Sequence, residues 1–287
     1  MNAYDLFRAV RDDLNEASAS HWKDPEVLQK LNLNYLQLAA RIGNSPGDWL
    51  LTSESVTPVA SVITLPSNCA KPVHLEDSEG NPIWVNTTVR DRQVFRTVGI
   101  SDEGAGQAYL QGNTIVVNAD SFTTVCTLWY QERLPLLHCG VLQTSTGATT
   151  LMFQLVDSNA RSMLASGVND YYNGEVVEVI DVTSGLVSQA TIADYVGSTG
   201  AATVATMSPA PAATDYYGTV PRISDEALPL LQLATTVQLL AKPSSAIDPK
   251  YFEYFAGLMK KAQADFESWL EPRMHTSGHV QTTQWEA

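Results

Sequence analysis

The chain has 287 residues, of which 44% are hydrophobic and 17% charged, and its formal net charge is −14. This composition is typical of a globular protein and too apolar for a disordered one, and the length predicts about two domains. The acidic balance argues against a protein that grips DNA or RNA, because phosphate binding needs Lys and Arg. It is compatible with a channel through which DNA slides.

Residues 1–48 predict two amphipathic helices. The opening sequence MNAYDLFRAVRDDL lacks the apolar core of a signal peptide. Its apolar residues repeat at helical spacing between Ala3 and Ala17. Asp24 then provides an N-cap, Pro25 suits the first helical position, and Gly43 provides the stop. The apolar face of this second helix consists of Leu28, Leu31, Tyr35, Leu38 and Ile42.

Residues 49–136 predict a β-rich region, because the apolar period there becomes two or is lost. The run SVITLP predicts a strand that ends at Pro66, and DSEGNP predicts a tight turn. No apolar run of the chain approaches the ~18 residues that span a bilayer, so we expect no membrane segment. Four further runs predict strands: residues 83–85, 94–96, 114–117 and 125–130.

Residues 137–220 predict an inserted module with its own core. This stretch has one basic residue, Arg161, and seven acidic ones. Short β-type runs such as EVVEVIDV and ATIADYVG alternate with turn clusters such as NDYYNG and TSG. Strands at this spacing, separated by glycines, are typical of a small β-barrel or sandwich.

Residues 221–274 predict a second pair of helices. Residues 228–241 are dense in Leu, Val and Ala, and Pro243 follows them. Asp248 and Pro249 repeat the start signal of the earlier helix, and Pro272 predicts the end of the last one. Apolar residues recur between these points at steps of three and four: Phe252, Phe255, Met259, Ala262, Phe266 and Trp269.

The predicted fold class is α+β. Isolated helices of this length are marginal in water, so we expect residues 1–48 and 221–274 to form one bundle of about four helices. The β-rich region 49–136 and the β-module 137–220 emerge from this bundle, and residues 275–287 form a polar tail. The predicted bundle core consists of Leu31, Tyr35, Leu38, Phe255, Phe266 and Trp269.

Motifs of catalysis and metal binding are absent from the sequence. It has no P-loop, no HExxH and no GxSxG. His138 and Cys139 are adjacent, without a second Cys or His at zinc-finger spacing, and the three cysteines are too few for a disulfide framework. We therefore expect no enzyme, no cofactor and no metal. Asp170 and Asp194 remain as candidate carboxylates for carbohydrate hydrolysis, or as turn residues.

The order of several segments resembles the head-to-tail adaptor (connector) proteins of tailed bacteriophages. These segments are WKDPE, the helix LQKLNLNYLQLAARIG, the strand region LPSNCAKPVHLEDSEGNPIWV, then WYQERLPLL and PRISDEALPLLQLATTVQLLAK. The resemblance covers residues 1–137 and 221–274. Residues 137–220 depart from the short form of the family. They resemble a small β-module found inserted in many phage structural proteins, through Tyr172-Asn173-Gly174, Gly185, Ile192, Tyr195 and Gly197.

The resemblance implies a structural protein of the virion, assembled in the host cytoplasm. It implies self-association into a ring, usually a dodecamer, docked under the portal protein. DNA passes through the lumen without specific binding, and a tail, nozzle or fibre protein meets the opposite side. No reaction is implied. Whether the free protein is a monomer or a ring stays open, as does the partner of the β-module.

The resemblance also implies that residues 275–287 reach into the portal. The predicted contact residues are His279, Val280, Gln284 and Trp285, with Trp285 as an aromatic anchor in a polar tail. The first alternative is a tail, collar or fibre-base structural protein, which the position of the protein in the particle would distinguish. The second is a carbohydrate-binding protein that uses the acidic β-module.

Overall fold

The computed structural model describes residues 1–15, 21–45, 49–86, 107–117, 122–143, 146–155, 165–242 and 249–274. Within these ranges the fold is α+β, with four α-helices and two curled β-sheets that resemble half-barrels. The chain divides into two compact units. We call Ser45–Leu134 the central unit, and Met1–Asn44 together with Pro135–Ala287 the terminal unit.

The helices lie in the terminal unit as α1 (Ala3–Asp13), α2 (Asp24–Gly43), α3 (Leu228–Leu240) and α4 (Pro249–Met274). A capping box starts α1, in which Asn2 Oδ1 accepts from the Asp5 backbone N–H at 3.0 Å. Two predicted details were wrong. Lys23 is the N-cap of α2, so that Asp24 is its first helical residue, and α4 continues past Pro272.

The central unit contains a seven-stranded sheet within the described residues. Its strands are β1 (Leu51–Val56), β2 (Val62–Thr64), β3 (Cys69–Glu76), β4 (Pro82–Asn86), β5 (Gln107–Gln111), β6 (Thr114–Val117) and β7 (Cys126–Glu132). Their order is β1-β7-β3-β4-β5-β6-β2, and only the described pair β4–β5 is parallel. Alternate residues such as Leu75, Ile115 and Leu128 fill the core. The strand predicted at residues 94–96 lies outside the described residues.

The terminal unit contains a six-stranded antiparallel sheet within its described part. Its strands are β8 (Cys139–Val141), β9 (Thr150–Met152), β10 (Val176–Ile180), β11 (Val187–Val196), β12 (Ala201–Val204) and β13 (Tyr216–Thr219), in the order β8-β13-β10-β11-β12-β9. Aromatic rings dominate its core, where Phe153 stacks on Tyr217 at 4.5 Å and Tyr172 meets Tyr195 edge to face at 4.9 Å. The buried hydroxyls have partners: Tyr195 Oη donates to the Ser166 carbonyl at 2.7 Å.

Helices from the two ends of the chain contact one another directly. One apolar cluster includes residues of all four helices: Val10, Leu14, Trp22, Val27, Leu239, Leu240 and Phe255. Trp22 Nε1 donates to the Leu239 carbonyl at 3.1 Å, and Lys242 Nζ contacts the Glu26 carboxylate at 2.9 Å. Burial of these side chains, rather than helix propensity alone, stabilises the short helices.

Helix α1 has a second packing surface on the six-stranded sheet. Its Tyr4 ring stacks on Tyr216 of β13 at 4.5 Å, and Asn2 Nδ2 donates to Glu178 of β10 at 2.8 Å. The close approach needs Gly218, because a Cβ there would lie 2.5 Å from the Tyr4 backbone nitrogen. The helix therefore lies between α3 and the sheet.

Replacement of Gly257 by alanine is expected to raise the free energy of unfolding by about 0.5–1 kcal/mol. Gly257 lies inside α4, and a Cβ there would have no atom within 4 Å. Alanine therefore gains helix propensity without a clash. Urea denaturation measures the change. The Ala264→Gly substitution, at an exposed position of the same helix, should lower the free energy of unfolding by a similar amount. A change of the same sign in both variants would contradict this account.

Candidate functional site

The predicted bundle-core residues all belong to the terminal unit, and most of them are buried. Five are buried: Leu31, Tyr35, Leu38, Phe255 and Phe266. Trp269 is half-buried, whereas Leu270 is 5% exposed. The reason is helical geometry, since Leu270 follows Phe266 by four positions and shares its face more closely than Trp269 does. Arg41 also covers this face. Its guanidinium carbon lies 5.7 Å from the centre of the Phe266 ring, and its Nη2 lies 2.6 Å from Glu267 Oε1.

A cleft of about 330 Å³ lies between α1, the start of α2 and the edge of the six-stranded sheet. Strands β8 and β13 supply one wall, and the side chain of Gln154 lies against Gly140. The lining residues combine aromatic rings, two guanidinium groups and two carboxylates: Tyr4, Phe7, Arg8, Arg11, Asp12, Asp24, Leu28, Cys139, Gly140, Val141, Gln154 and Tyr216.

The cleft contains one buried ion pair and two groups whose pKa is raised. Arg11 is buried, pairs with Asp24 and lies 5.4 Å over the Phe7 ring. Burial raises the pKa of Tyr4, and the adjacent Tyr216 raises it further. Burial likewise raises the pKa of the Cys139 thiol. Both groups stay protonated near neutral pH, so neither serves as an activated nucleophile.

Several large apolar side chains remain exposed on the helices and on one hairpin. Leu33 and Leu36 of α2 are 44% and 38% exposed, and Tyr254 of α4 is 61% exposed. At the β10–β11 turn, Val182, Leu186 and Val187 are more than half exposed. Single exposed apolar residues are ordinary on protein surfaces, but Leu33 and Leu36 lie one helical turn apart and form a stripe.

The candidate carboxylates Asp170 and Asp194 lie on neighbouring segments, because the Asp170 backbone N–H donates to the carbonyl of Tyr195, the residue after Asp194, at 2.8 Å. Asp170 adopts a positive φ of 62° and accepts from Asn173 Nδ2 at 2.8 Å, as a turn residue does. His138 is buried, with Nε2 2.7 Å from the Tyr217 hydroxyl.

Across the described ranges, no group of three or more His, Cys, Asp or Glu side chains could hold a metal ion. Nor does any helix in those ranges have the length and hydropathy to cross a membrane.

Sequence reasoning located the helices but missed the cleft. Its walls join residues from α1, α2, β8 and β13, and no local pattern indicates that these segments meet. The available signals are Gly140 and Gly218, each within a strand, since glycine in a strand often marks close approach of another group. The predicted portal-contact residues His279, Val280, Gln284 and Trp285 lie outside the described residues.

No model of a protein family matches the chain, and no curated protein matches it.

Proposed function

We propose that the chain is a structural head-to-tail adaptor of a tailed phage, which forms a ring that joins the portal to the tail and continues the DNA channel. The observation that carries this proposal is the contact between helices from the two ends of the chain, anchored by the Trp22–Leu239 hydrogen bond. The finer architecture that we propose is a bundle of about four helices formed by the N- and C-terminal segments.

The exposed stripe on α2 supports self-association. Leu33 and Leu36 are followed along the same side of the helix by exposed Ala40. In a closed ring each subunit offers two different surfaces to its neighbours, and an uncharged helix face suits one of them.

The charge of the chain supports a channel role without a reaction. A formal net charge of −14 disfavours adhesion to DNA phosphates, so that DNA can slide during ejection. The cysteine thiols are consistent with a structural role. Burial raises the pKa of Cys126 to about 11 and also raises that of Cys139, so both thiols stay protonated near neutral pH. We propose no substrate and no cofactor.

Electron microscopy of the purified chain mixed with a portal ring tests this function. We expect an added ring of density beneath the portal, with the copy number measured by mass photometry. Binding to a tail or fibre ring but not to the portal would favour a collar or fibre-base protein instead. Failure to bind any of these rings would contradict the proposal.

Deletion of Thr276–Ala287 is expected to abolish portal binding while it leaves the fold intact. Among the side chains that the structure describes in α4, the last buried one is Leu270. The deletion retains it, so the melting temperature should stay within about 2 °C. A pull-down on the portal ring measures the loss. A Trp285→Ala variant should lose most of the binding as well. Full binding by the truncated chain would refute the role of this segment.

A further inference from the structure

A tight turn of four residues, Tyr172-Asn173-Gly174-Glu175, lies directly before β10 in the terminal unit. The Glu175 backbone N–H donates to the Tyr172 carbonyl at 3.0 Å, and Gly174 has a φ of 82°. These features define a type II turn with Asn173 and Gly174 at its two central positions. Asn173 is also the only asparagine in the sequence that is followed directly by glycine.

An asparagine followed by glycine can lose ammonia without an enzyme. The backbone nitrogen of Gly174 gives up its proton and attacks Asn173 Cγ. The new N–Cγ bond closes a five-membered succinimide ring, the Cγ–Nδ2 bond breaks, and Nδ2 leaves with that proton as ammonia. Water then opens the ring at either carbonyl, which yields aspartate or isoaspartate. Glycine favours ring closure because it has no side chain to shield its backbone.

Both reacting groups are held by hydrogen bonds in the folded chain. The Gly174 N–H, which must lose its proton, donates to the Ile192 carbonyl of β11 at 2.8 Å. Asn173 Nδ2, which must leave, donates to Asp170 Oδ1 at 2.8 Å. The nitrogen and Cγ therefore react only after the turn opens and releases these bonds.

Opening of the turn is opposed by buried residues on both sides of it. Tyr172 is fully buried, Glu175 is 5% exposed, and the Ile192 N–H donates to the Glu175 carbonyl at 2.8 Å. Asn173 and Gly174 themselves are exposed, so water reaches them directly. Because opening disturbs the core of the six-stranded sheet, we expect the open state to be rare.

We propose that Asn173 is a site of deamidation, which the folded turn protects and which reacts when the turn opens. The product also opposes reclosure of the turn. Aspartate lacks the amide donor and places a second carboxylate beside Asp170, where the two charges repel each other. Isoaspartate adds one carbon to the main chain within a turn whose ends are bonded to each other. Opening of this turn is thereby converted into a permanent covalent change.

Peptide-mapping mass spectrometry of the full chain tests the site, with the protein incubated at mildly alkaline pH either folded or in concentrated guanidinium chloride. In the unfolded chain, we expect Asn173 to deamidate faster than the other asparagines. In the folded chain, its rate should be about tenfold lower or less. The control is Asn173→Gln, which should stay unmodified because closure needs a larger ring. Equal rates in the folded and unfolded chain, or no reaction of Asn173 in the unfolded chain, would overturn the proposal.

Melting temperatures of Asn173→Asp and Asn173→Ser test the effect of the product. Both variants lose the amide donor, but only aspartate adds a charge, so it should melt about 2 °C or more below the serine variant. This difference should vanish when each is combined with Asp170→Asn, since asparagine tolerates the φ of 62° at that position. Equal melting temperatures of the two single variants, or a difference that persists without the Asp170 carboxylate, would contradict the predicted repulsion.

Discussion

The Phe255→Ala substitution is expected to lower the free energy of unfolding by about 3–5 kcal/mol. Phe255 is 6% exposed and belongs to the apolar cluster that joins helices from both ends of the chain. Its ring also meets Tyr251 edge to face at 5.0 Å. Removal of the ring leaves a cavity between the helices, and the rigid backbones around it cannot collapse fully to fill it.

Urea denaturation followed by far-ultraviolet circular dichroism measures this effect. The control is Tyr254→Ala, one residue earlier, whose side chain is 61% exposed. The Tyr254→Ala substitution removes the edge-to-face contact of the Tyr254 ring with Phe255, at 5.3 Å between ring centres, so we expect a loss of about 1 kcal/mol. Equal losses in both variants would show that this face of α4 is not a buried core.

The helices were predictable because their signals are local. Apolar steps of three and four, together with Pro25 and Pro249 at the helix starts, indicated α2 and α4 before any contact was known. Burial of Leu31 and Tyr35 follows from the same periodicity. The strands β4, β6 and β7 likewise coincide with short apolar runs, since β-branched and aromatic residues are enriched in strands.

What the sequence could not predict depends on long-range register. The outer face of the central sheet brings together Trp129, His74, Trp84 and Gln107 only because β7, β3, β4 and β5 are neighbours, and that order differs from the chain order. The contact of α1 with β13 similarly joins segments that are far apart in the chain. Trp269 shows a further limit of prediction from sequence. Periodicity indicates which face of a helix a residue lies on, but it does not indicate how deeply neighbouring residues bury that side chain.

The Gly218→Ala substitution is expected to lower the free energy of unfolding by about 3 kcal/mol, the upper part of the usual range for overpacking. A Cβ at this position would lie 2.5 Å from the Tyr4 backbone nitrogen and 2.8 Å from Asn2 Oδ1. The nearest atom belongs to the helix backbone, so relief requires the start of α1 to move away from β13. That movement would also disturb the Tyr4–Tyr216 stack and open the cleft behind it.

Two other glycines of the terminal unit, Gly147 and Gly140, separate this clash from a general effect of alanine. Gly147→Ala places its Cβ in open space and should change stability by less than about 1 kcal/mol. Gly140→Ala, on the adjacent strand β8, meets Gln154 Oε1 at 3.1 Å, the end of a side chain that can rotate, so we expect an intermediate loss. Near-ultraviolet circular dichroism reports on the tyrosine stack, and its signal should change in the Gly218 variant alone. A Gly218 variant as stable as the Gly147 variant would mean that α1 does not rest on β13. The capping box at Asn2 would then be the main support for the start of this helix.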